Sequence, residues 1–120
     1  MSDPTPTADA KGRAAEQHAE GLLVAEGWSV LGRRVRTPRG ELDLVAQRNG
    51  LVAFVEVKLR RSLEDAAYAL SERQQRRIAE AAECWLAANP SVGAQGVRFD
   101  LIVLDRRRNA RRIADAFRPG

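Results

Sequence analysis

Residues 41–58 read ELDLVAQRNGLVAFVEVK, and this stretch decides the fold. Its first part alternates polar and apolar side chains, with Leu42, Leu44 and Ala46 on one side, and its second part is apolar and rich in β-branched residues. Both patterns predict strands. The Asn-Gly dipeptide between them favours a two-residue hairpin turn, because both turn positions need a positive φ. The stretch is therefore predicted to form one antiparallel hairpin.

A two-residue turn fixes the register, so that the numbers of opposed residues sum to 99. In that register Asp43 lies opposite Glu56, and Glu41 lies opposite Lys58, with all four side chains on one face. Opposed Cβ atoms are about 4.5–5.5 Å apart, and like charges at that distance are destabilising unless something compensates. A shared proton or a bound cation would compensate for two carboxylates. With a metal ion, the acids and the lysine are sufficient for hydrolysis of a phosphodiester bond.

These charged residues also have a plainer interpretation, in which they form a solvated strand end where Glu41 pairs with Lys58. Two observations weigh against it. The strand that carries Glu56 is apolar on both faces up to Val55, so a carboxylate within it is costly unless it is satisfied. Lysine is also rare in this chain, where 18 of the 20 basic residues are arginine. Unlike arginine, a lysine can have its pKa lowered by burial, which suits a catalytic role.

The rest of the chain is predicted to add two helices and two or three strands. The first helix is predicted over residues 9–26. The second begins at a capping box, Ser71-Glu72-Arg73-Gln74, and ends before Pro90. Residues 1–8 are predicted to be a flexible N-terminal tail and residues 9–120 a single domain, with a mixed sheet flanked by helices. The further predicted strands cover residues 28–35, 97–104 and 111–117.

Composition narrows the class of protein. A net charge of +4 and a pI near 10.2 favour a polyanionic partner without proving one. No segment is apolar enough to span a bilayer, and the first residues lack the pattern of a secretory signal. Cys84 is the only cysteine, which excludes an internal disulfide and a zinc site built on cysteines. These features predict a cytoplasmic protein.

Three segments resemble a known family. Gly40-Glu41-Leu42-Asp43, Phe54-Val55-Glu56-Val57-Lys58 and Arg98-Phe99-Asp100 look like the corresponding segments of the YraN-like proteins, a bacterial family of predicted endonucleases. The resemblance runs from Gly12 to Phe117. This family belongs to the restriction-endonuclease-like superfamily, whose motif is written PD-(D/E)xK, and is similar to Holliday junction resolvases. The resemblance implies a three-layer α/β fold with about five strands, and cleavage of DNA with Mg²⁺ or Mn²⁺.

The resemblance also assigns roles to individual residues. It implies that Asp43 and Glu56 are metal ligands and that Lys58 is the catalytic lysine. It further implies an acidic residue on the first helix, which matches Glu16 as a third metal ligand. The helical spacing turns Glu16 towards packed surface, where it could equally be an ordinary glutamate paired with an arginine.

Further residues are predicted to support the site. Glu41, Gln74 and Asp100 are candidates, of which Asp100 would either assist the site or anchor an arginine. Residues 106–112 are predicted to form a basic hairpin turn to which no function is assigned. Arginines also cluster around the site in sequence, as a phosphate-binding rim requires, although each cluster could be ordinary solvated surface. The residues expected to contact nucleic acid are Arg36, Arg39, Arg60, Arg61, Arg73 and Arg77.

Three functions stay open on the sequence alone. The first is a metal-dependent endonuclease acting on DNA, including branched recombination or repair intermediates. The second is a non-catalytic nucleic-acid-binding module with the nuclease fold, favoured by the high arginine content. Arg73 and Leu59 also favour it, because many relatives have a lysine and a small polar residue there. The third is a structural or partner-binding domain with solvated charges. Related resolvases act as dimers, so a homodimer is a further expectation.

Overall fold

The computed structural model describes residues 8–119, with side chains at all of these positions except 8–11, 65, 67 and 68. The tail predicted for residues 1–8 lies outside the described residues, apart from Ala8, where the first helix begins. Neither α-helix in the described range is long and apolar enough to cross a bilayer. The helical elements are α1 (Ala8–Ala25), a 3-10 helix η1 (Leu63–Tyr68) and α2 (Glu72–Ala88). The strands are β1 (Ser29–Thr37), β2 (Gly40–Arg48), β3 (Leu51–Leu59), β4 (Val97–Leu104) and β5 (Ala110–Ile113).

The five strands form one mixed sheet in the order β1-β2-β3-β4-β5. The first three strands are antiparallel neighbours. The chain then crosses through η1 and α2, so that β4 pairs with β3 in parallel, and β5 returns antiparallel to β4. A parallel pair needs such a long crossover, because a hairpin can join only antiparallel strands. The predicted mixed sheet of about five strands flanked by helices is confirmed.

The two faces of the sheet carry separate cores. On the α1 face, Leu23 packs with Val55 and Ile102. On the α2 face, the Phe54 ring meets Trp85 edge-on with centroids 5.8 Å apart, and stacks on Phe99 at 5.6 Å. The 3-10 helix extends the α2 face by covering part of β4. Burial of apolar side chains on both faces is the main stabilising contribution to such a sandwich.

The hairpin of β2 and β3 has the predicted turn and register. Asn49 has φ 51° and Gly50 has φ 80°, so both turn residues adopt the left-handed conformation that this turn requires. The pairs run from Arg48 with Leu51 to Leu44 with Val55, and the numbers of each pair sum to 99. The prediction of register is confirmed over these five pairs.

Beyond Leu44 the two strands separate. A regular ladder would continue to Leu42 opposite Val57, but the Val57 N–H instead donates to Oδ2 of Asp43 at 2.9 Å. Arg34, which faces Asp43 in the β1–β2 register, has φ 47° and so bends β1 at the same level. The bend turns Leu42 into the core on the α2 face, whereas Leu44 lies in the core on the α1 face. The prediction that Leu42 shares a side with Leu44 and Ala46 is therefore wrong.

Two other predictions need correction. The basic turn predicted over residues 106–112 is shorter, because β5 already begins at Ala110. The last strand ends at Ile113 and does not reach Phe117, because Asp115 has φ 54° and turns the chain back. The Ala116 N–H then donates to the carbonyl of Phe99 at 2.7 Å, and Phe117 stacks on the Phe99 ring. The 3-10 helix η1 was not predicted, since so short an element has no readable periodicity.

Candidate active site

The separation of β2 from β3 opens a recess of about 240 Å³ against α2. It brings together all three predicted catalytic residues, from two strands that are neighbours in the sheet. The helix contributes the opposite wall. The recess is lined by Gly40, Glu41, Asp43, Glu56, Lys58, Gln74, Arg77 and Ile78.

Glu56 is the most buried charged residue of the recess, with 6% of its surface exposed. Its pKa lies well above the ordinary value, chiefly because burial disfavours the charged carboxylate. A hydrogen bond with Asp43 and the negative charge of that residue raise the pKa further, and the charge of Glu16 adds a smaller contribution. The positive charge of Lys58 acts in the opposite direction. The solvated-end interpretation therefore fails at Glu56.

Asp43 is held in place by the opened ladder. Its Oδ2 accepts the hydrogen bond from the Val57 N–H, and the same carboxylate hydrogen bonds with Glu56. A backbone donor thus fixes the orientation of this side chain without neutralising its charge. The two carboxyl groups share one small volume, as the predicted register requires.

Lys58 and Glu41 lie in the recess but not as the predicted opposed pair. The β2–β3 ladder does not extend to them, because the strands have already separated. Within residues 8–119, neither side chain forms an ion pair. Lys58 is half-buried, and its backbone stays paired with Val103 of β4, whereas Glu41 is exposed at the mouth of the recess. The ammonium group of Lys58 is thus held on a rigid strand beside Glu56.

Glu16 approaches the site from the other side of the sheet. Its Oε2 accepts a hydrogen bond of 2.8 Å from Nε of Arg34, the residue at the bend in β1. Its charge acts on Glu56, but in the described part of the chain no three His, Cys, Asp or Glu side chains converge on one metal position. The structure therefore brings two of the three predicted metal ligands together, and Glu16 is paired with an arginine.

The wall formed by α2 depends on a close approach of the hairpin to the helix. Gly40 has φ 147°, and a Cβ there would lie 3.7 Å from both the Arg77 carbonyl oxygen and the Ala81 Cβ. The predicted capping box is confirmed, since Gln74 accepts a hydrogen bond from the Ser71 backbone at 3.0 Å and the Ser71 hydroxyl accepts one from the Gln74 N–H. The first turn of α2 is thus fixed beside the recess.

The six arginines predicted to form a rim do not form one continuous surface. Arg77 lines the recess itself. Nη1 of Arg39 lies 3.7 Å from Oε2 of Glu83. The Arg60 guanidinium donates to the carbonyl oxygens of Leu59 and Ala69. Arg61 lines a separate recess with Arg106 and Arg107. The remaining two, Arg36 and Arg73, are exposed.

Asp100 lies on the α1 face, away from the recess. It is fully buried, and its carboxylate accepts two hydrogen bonds of 2.8 Å from Arg98, one of 3.0 Å from Arg112 and one of 2.9 Å from the Asp115 N–H. Burial alone would raise the pKa of Asp100, but these hydrogen bonds outweigh it and lower the pKa below its ordinary value. Of the two predicted roles, this geometry corresponds to anchoring arginines.

A cluster that sequence reasoning missed surrounds Trp28 at the same end of the α1 face. The guanidinium carbons of Arg48, Arg98 and Arg112 lie 4.7, 5.4 and 5.3 Å from the centre of its ring. Trp28 is only 2% exposed, because it packs into the core on the α1 face and the arginines lie over its ring. Cation–π contacts of this kind join residues that are far apart in sequence, so no local sequence pattern predicts them.

This fold and the acid, acid and lysine on its two adjacent strands define the class: an α/β protein of the restriction-endonuclease-like fold. The model of the Uncharacterised protein family UPF0102 matches residues 15–104, and the chain belongs to this family. It is 51% identical to a UPF0102 protein of Bradyrhizobium sp. (strain ORS 278) over 106 residues, which cover 88% of this chain and 75% of the relative. A UPF0102 protein of Nitrobacter winogradskyi is 50% identical over 106 residues, with 88% and 90% covered. The resemblance to the YraN-like proteins is confirmed.

Proposed function

We propose that this protein is a Mg²⁺- or Mn²⁺-dependent endonuclease that hydrolyses phosphodiester bonds in DNA, including branched recombination or repair intermediates. One observation carries the proposal. Asp43 and Glu56 hold their carboxyl groups within hydrogen-bonding reach of each other, in a recess that Lys58 shares. A buried pair of this kind is destabilising in a protein that makes no use of it.

The donor set of the recess fits a hard divalent cation. Asp43 and Glu56 would hold the ion, which needs only one or two carboxylates when waters and phosphate oxygens complete its coordination. The Val57 N–H holds Oδ2 of Asp43, and loss of the proton that Asp43 and Glu56 share would free both carboxylates to bind the ion. Glu16 would join only if it left Arg34. When bound, the ion would lower the pKa of a water molecule and stabilise the negative charge of the phosphate.

The chain's own residues have separate tasks in this proposal. Lys58 orients the attacking water or neutralises the charge that develops on the phosphate, because its ammonium group is compact and carried by a rigid strand. Arg77 binds a neighbouring phosphate from the helix wall. The water oxygen bonds to phosphorus, the bond to the leaving oxygen breaks, and the proton of the water ends on the leaving group or the solvent.

The test is cleavage of a panel of labelled duplex, branched and single-stranded DNA with Mg²⁺ or Mn²⁺. We expect cleavage by the wild-type protein and a loss of about a hundredfold or more in Asp43→Asn and Lys58→Ala. Glu80→Gln is the matched control, because Glu80 is an exposed acid on the other side of α2. Full activity in either site variant would remove the mechanism.

The second candidate is a non-catalytic nucleic-acid-binding module that retains the nuclease fold. The pairing of Glu16 with Arg34 favours it, because only two acids of the expected three then face a common position. Calorimetric titration of Mn²⁺ into wild-type protein and Asp43→Asn separates the two. A module would give no site-dependent heat while still binding DNA in a salt-sensitive way.

A further inference from the structure

A second basic recess lies where the parallel strands β3 and β4 end. Parallel strands end at the same edge of a sheet, and here Leu59 pairs with Leu104, after which the Arg60 N–H donates to the Leu104 carbonyl at 2.8 Å. The chain after β3 carries Arg61, and the turn after β4 carries Arg106 and Arg107. These three residues, here called the edge arginines, line a recess of about 480 Å³ together with polar residues that include Ser62 and Asn109.

The turn that carries two of the edge arginines is rigidly built. The Asp105 carboxylate accepts hydrogen bonds of 2.9 Å from the N–H groups of Arg107 and Asn109, and one of 3.0 Å from the Asn109 side chain. Asp105 and Asn109 also pair through their backbones at 3.0 Å. The hydrogen bond from the Asn109 side chain is the main cause of a lowered pKa at Asp105. The acid of the turn therefore organises the backbone and does not pair with an arginine side chain.

The edge arginines differ from several other arginines of the molecule in having no carboxylate partner among the described residues. Arg98, Arg112 and Arg118 each bind a carboxylate. In the described part of the chain, no acid pairs with the side chain of Arg61, Arg106 or Arg107. Three guanidinium groups thus share one concave surface with a single carboxylate, that of Asp105, so the recess keeps an excess of positive charge. Arginines that only face solvent require neither a concave surface nor an ordered turn, and both are present here.

The edge arginines lie close to the catalytic recess along the chain. Lys58 and Arg61 are three residues apart, so their Cα atoms are separated by at most about 10 Å. A nucleic-acid strand carries one phosphate per about 3.4 Å of helix axis. A strand with one phosphate beside Lys58 would therefore bring another over Arg61 within about three nucleotides.

We propose that Arg61, Arg106 and Arg107 form a phosphate-binding subsite that holds the nucleic-acid backbone beyond the phosphodiester in the catalytic recess. This inference rests on the proposed function of that recess. It gives the turn between β4 and β5 a function. It also requires a substrate strand that continues past the point of cleavage. A small phosphodiester cannot reach the subsite.

The test compares Arg106→Gln/Arg107→Gln with Arg76→Gln/Arg118→Gln, which loses the same formal charge from a different recess, formed by α2 and residues 117–119. Binding of a fluorescein-labelled 30-base-pair duplex and of a labelled single strand is measured without added metal, between 50 and 200 mM salt. Two lost phosphate contacts reduce the slope of log K against log salt by about 1.8 for duplex. The loss of DNA affinity in the first variant, relative to wild type, should therefore be about tenfold smaller at 200 mM salt than at 50 mM. The control should have the salt slope of the wild type.

Equal salt slopes in the two double variants would overturn the inference. Loss of binding to anionic phosphatidylserine vesicles with unchanged DNA binding would overturn it too, and would assign the edge arginines to a membrane surface. Cleavage provides an independent readout: with Mn²⁺, the Arg106→Gln/Arg107→Gln protein should show a raised KM for DNA and unchanged hydrolysis of bis(p-nitrophenyl) phosphate. If the wild type cleaves neither, the proposed function fails, while the salt slopes still decide whether this surface binds nucleic acid.

Discussion

Glu56 is the residue at which the demands of folding and of chemistry conflict. Its carboxyl group is buried in the central strand and lies beside Asp43, so ionisation is costly in the folded protein. The unfolded chain has no such cost. A bound cation would reverse the balance, since it favours the charged form of both acids.

This conflict gives a prediction for the metal-free protein. The pKa of Glu56 is raised in the folded protein. Between the pKa of the unfolded chain and this raised pKa, the unfolded chain holds fewer protons than the folded protein. The free energy of unfolding should therefore fall as the pH rises through this range. Glu56→Gln should remove this decline and be more stable than wild type above the raised pKa, with no gain at low pH. Thermal unfolding with a chelator across this pH range measures the effect, and each 1 kcal/mol shifts Tm by about 4 °C for a domain of this size.

The matched control for this experiment is Glu80→Gln. Glu80 is exposed on α2, so its neutralisation should leave the dependence of Tm on pH unchanged. A Glu56→Gln protein that is less stable than wild type at every pH would contradict the assigned cause. It would mean that the ionised carboxylate makes favourable contacts in the metal-free recess.

At the scale of elements, the helix α2 lines two different recesses with two of its sides. One side faces the recess with Gln74, Arg77 and Ile78. Arg76 is the next residue to Arg77 but lines another depression, near Phe117. In the described part of the chain, neither arginine side chain is paired with an acid. The two positions therefore offer the same charge in different surroundings.

The proposed function predicts that only one of these arginines contacts DNA. Arg77→Gln should weaken DNA binding and reduce the salt slope by about 1, as expected for one lost phosphate contact. Arg76→Gln should retain the wild-type slope. Anisotropy titrations at several salt concentrations measure both. Equal changes of the salt slope in the two variants would indicate that only net charge matters. They would argue against a specific phosphate contact at Arg77.

The elements also show what could be read from the sequence. The hairpin register follows from Asn49 and Gly50, because the turn chemistry is local and fixes every later pair. The same register predicts that Asp43 and Glu56 lie together. The opening of the ladder was not predictable, since it depends on Arg34 in a neighbouring strand and on the approach of Gly40 to α2.

Longer-range contacts explain the other differences. Asp100 reads as a candidate site residue because acids in strands are rare, but its partners Arg98 and Arg112 are assembled only when β4 and β5 pair. Similarly, the chain after Ile113 is apolar enough to suggest a strand, yet Asp115 turns it back onto Phe99. In both cases tertiary contacts override the local pattern.

At the scale of the whole molecule, metal binding should stabilise the fold. A ligand that binds only the folded state adds about 1.4 kcal/mol when its concentration is ten times its Kd, which corresponds to about 6 °C in Tm for a domain of this size. The gain from Mn²⁺ should increase with pH, because binding must displace the proton of Glu56. Differential scanning fluorimetry at two pH values measures it, and Asp43→Asn should show little gain.

An equal gain in Asp43→Asn would assign the stabilisation to metal bound elsewhere on the surface. A gain independent of pH would contradict proton displacement at Glu56. Either result would leave the sheet and its helices as described and would require a different account of the recess.

The division of the sheet into two faces has a consequence for how this protein tolerates change. Trp28, Asp100 and their arginines support the structure on one side, whereas the recess that holds Asp43 and Glu56 lies on the other. Harmful substitutions should thus separate into two kinds. Those around Trp28 should be relieved by lower temperature or by stabilising substitutions elsewhere, because they reduce the folded population. Those in the recess should not be relieved, since they leave a well-folded but inert protein.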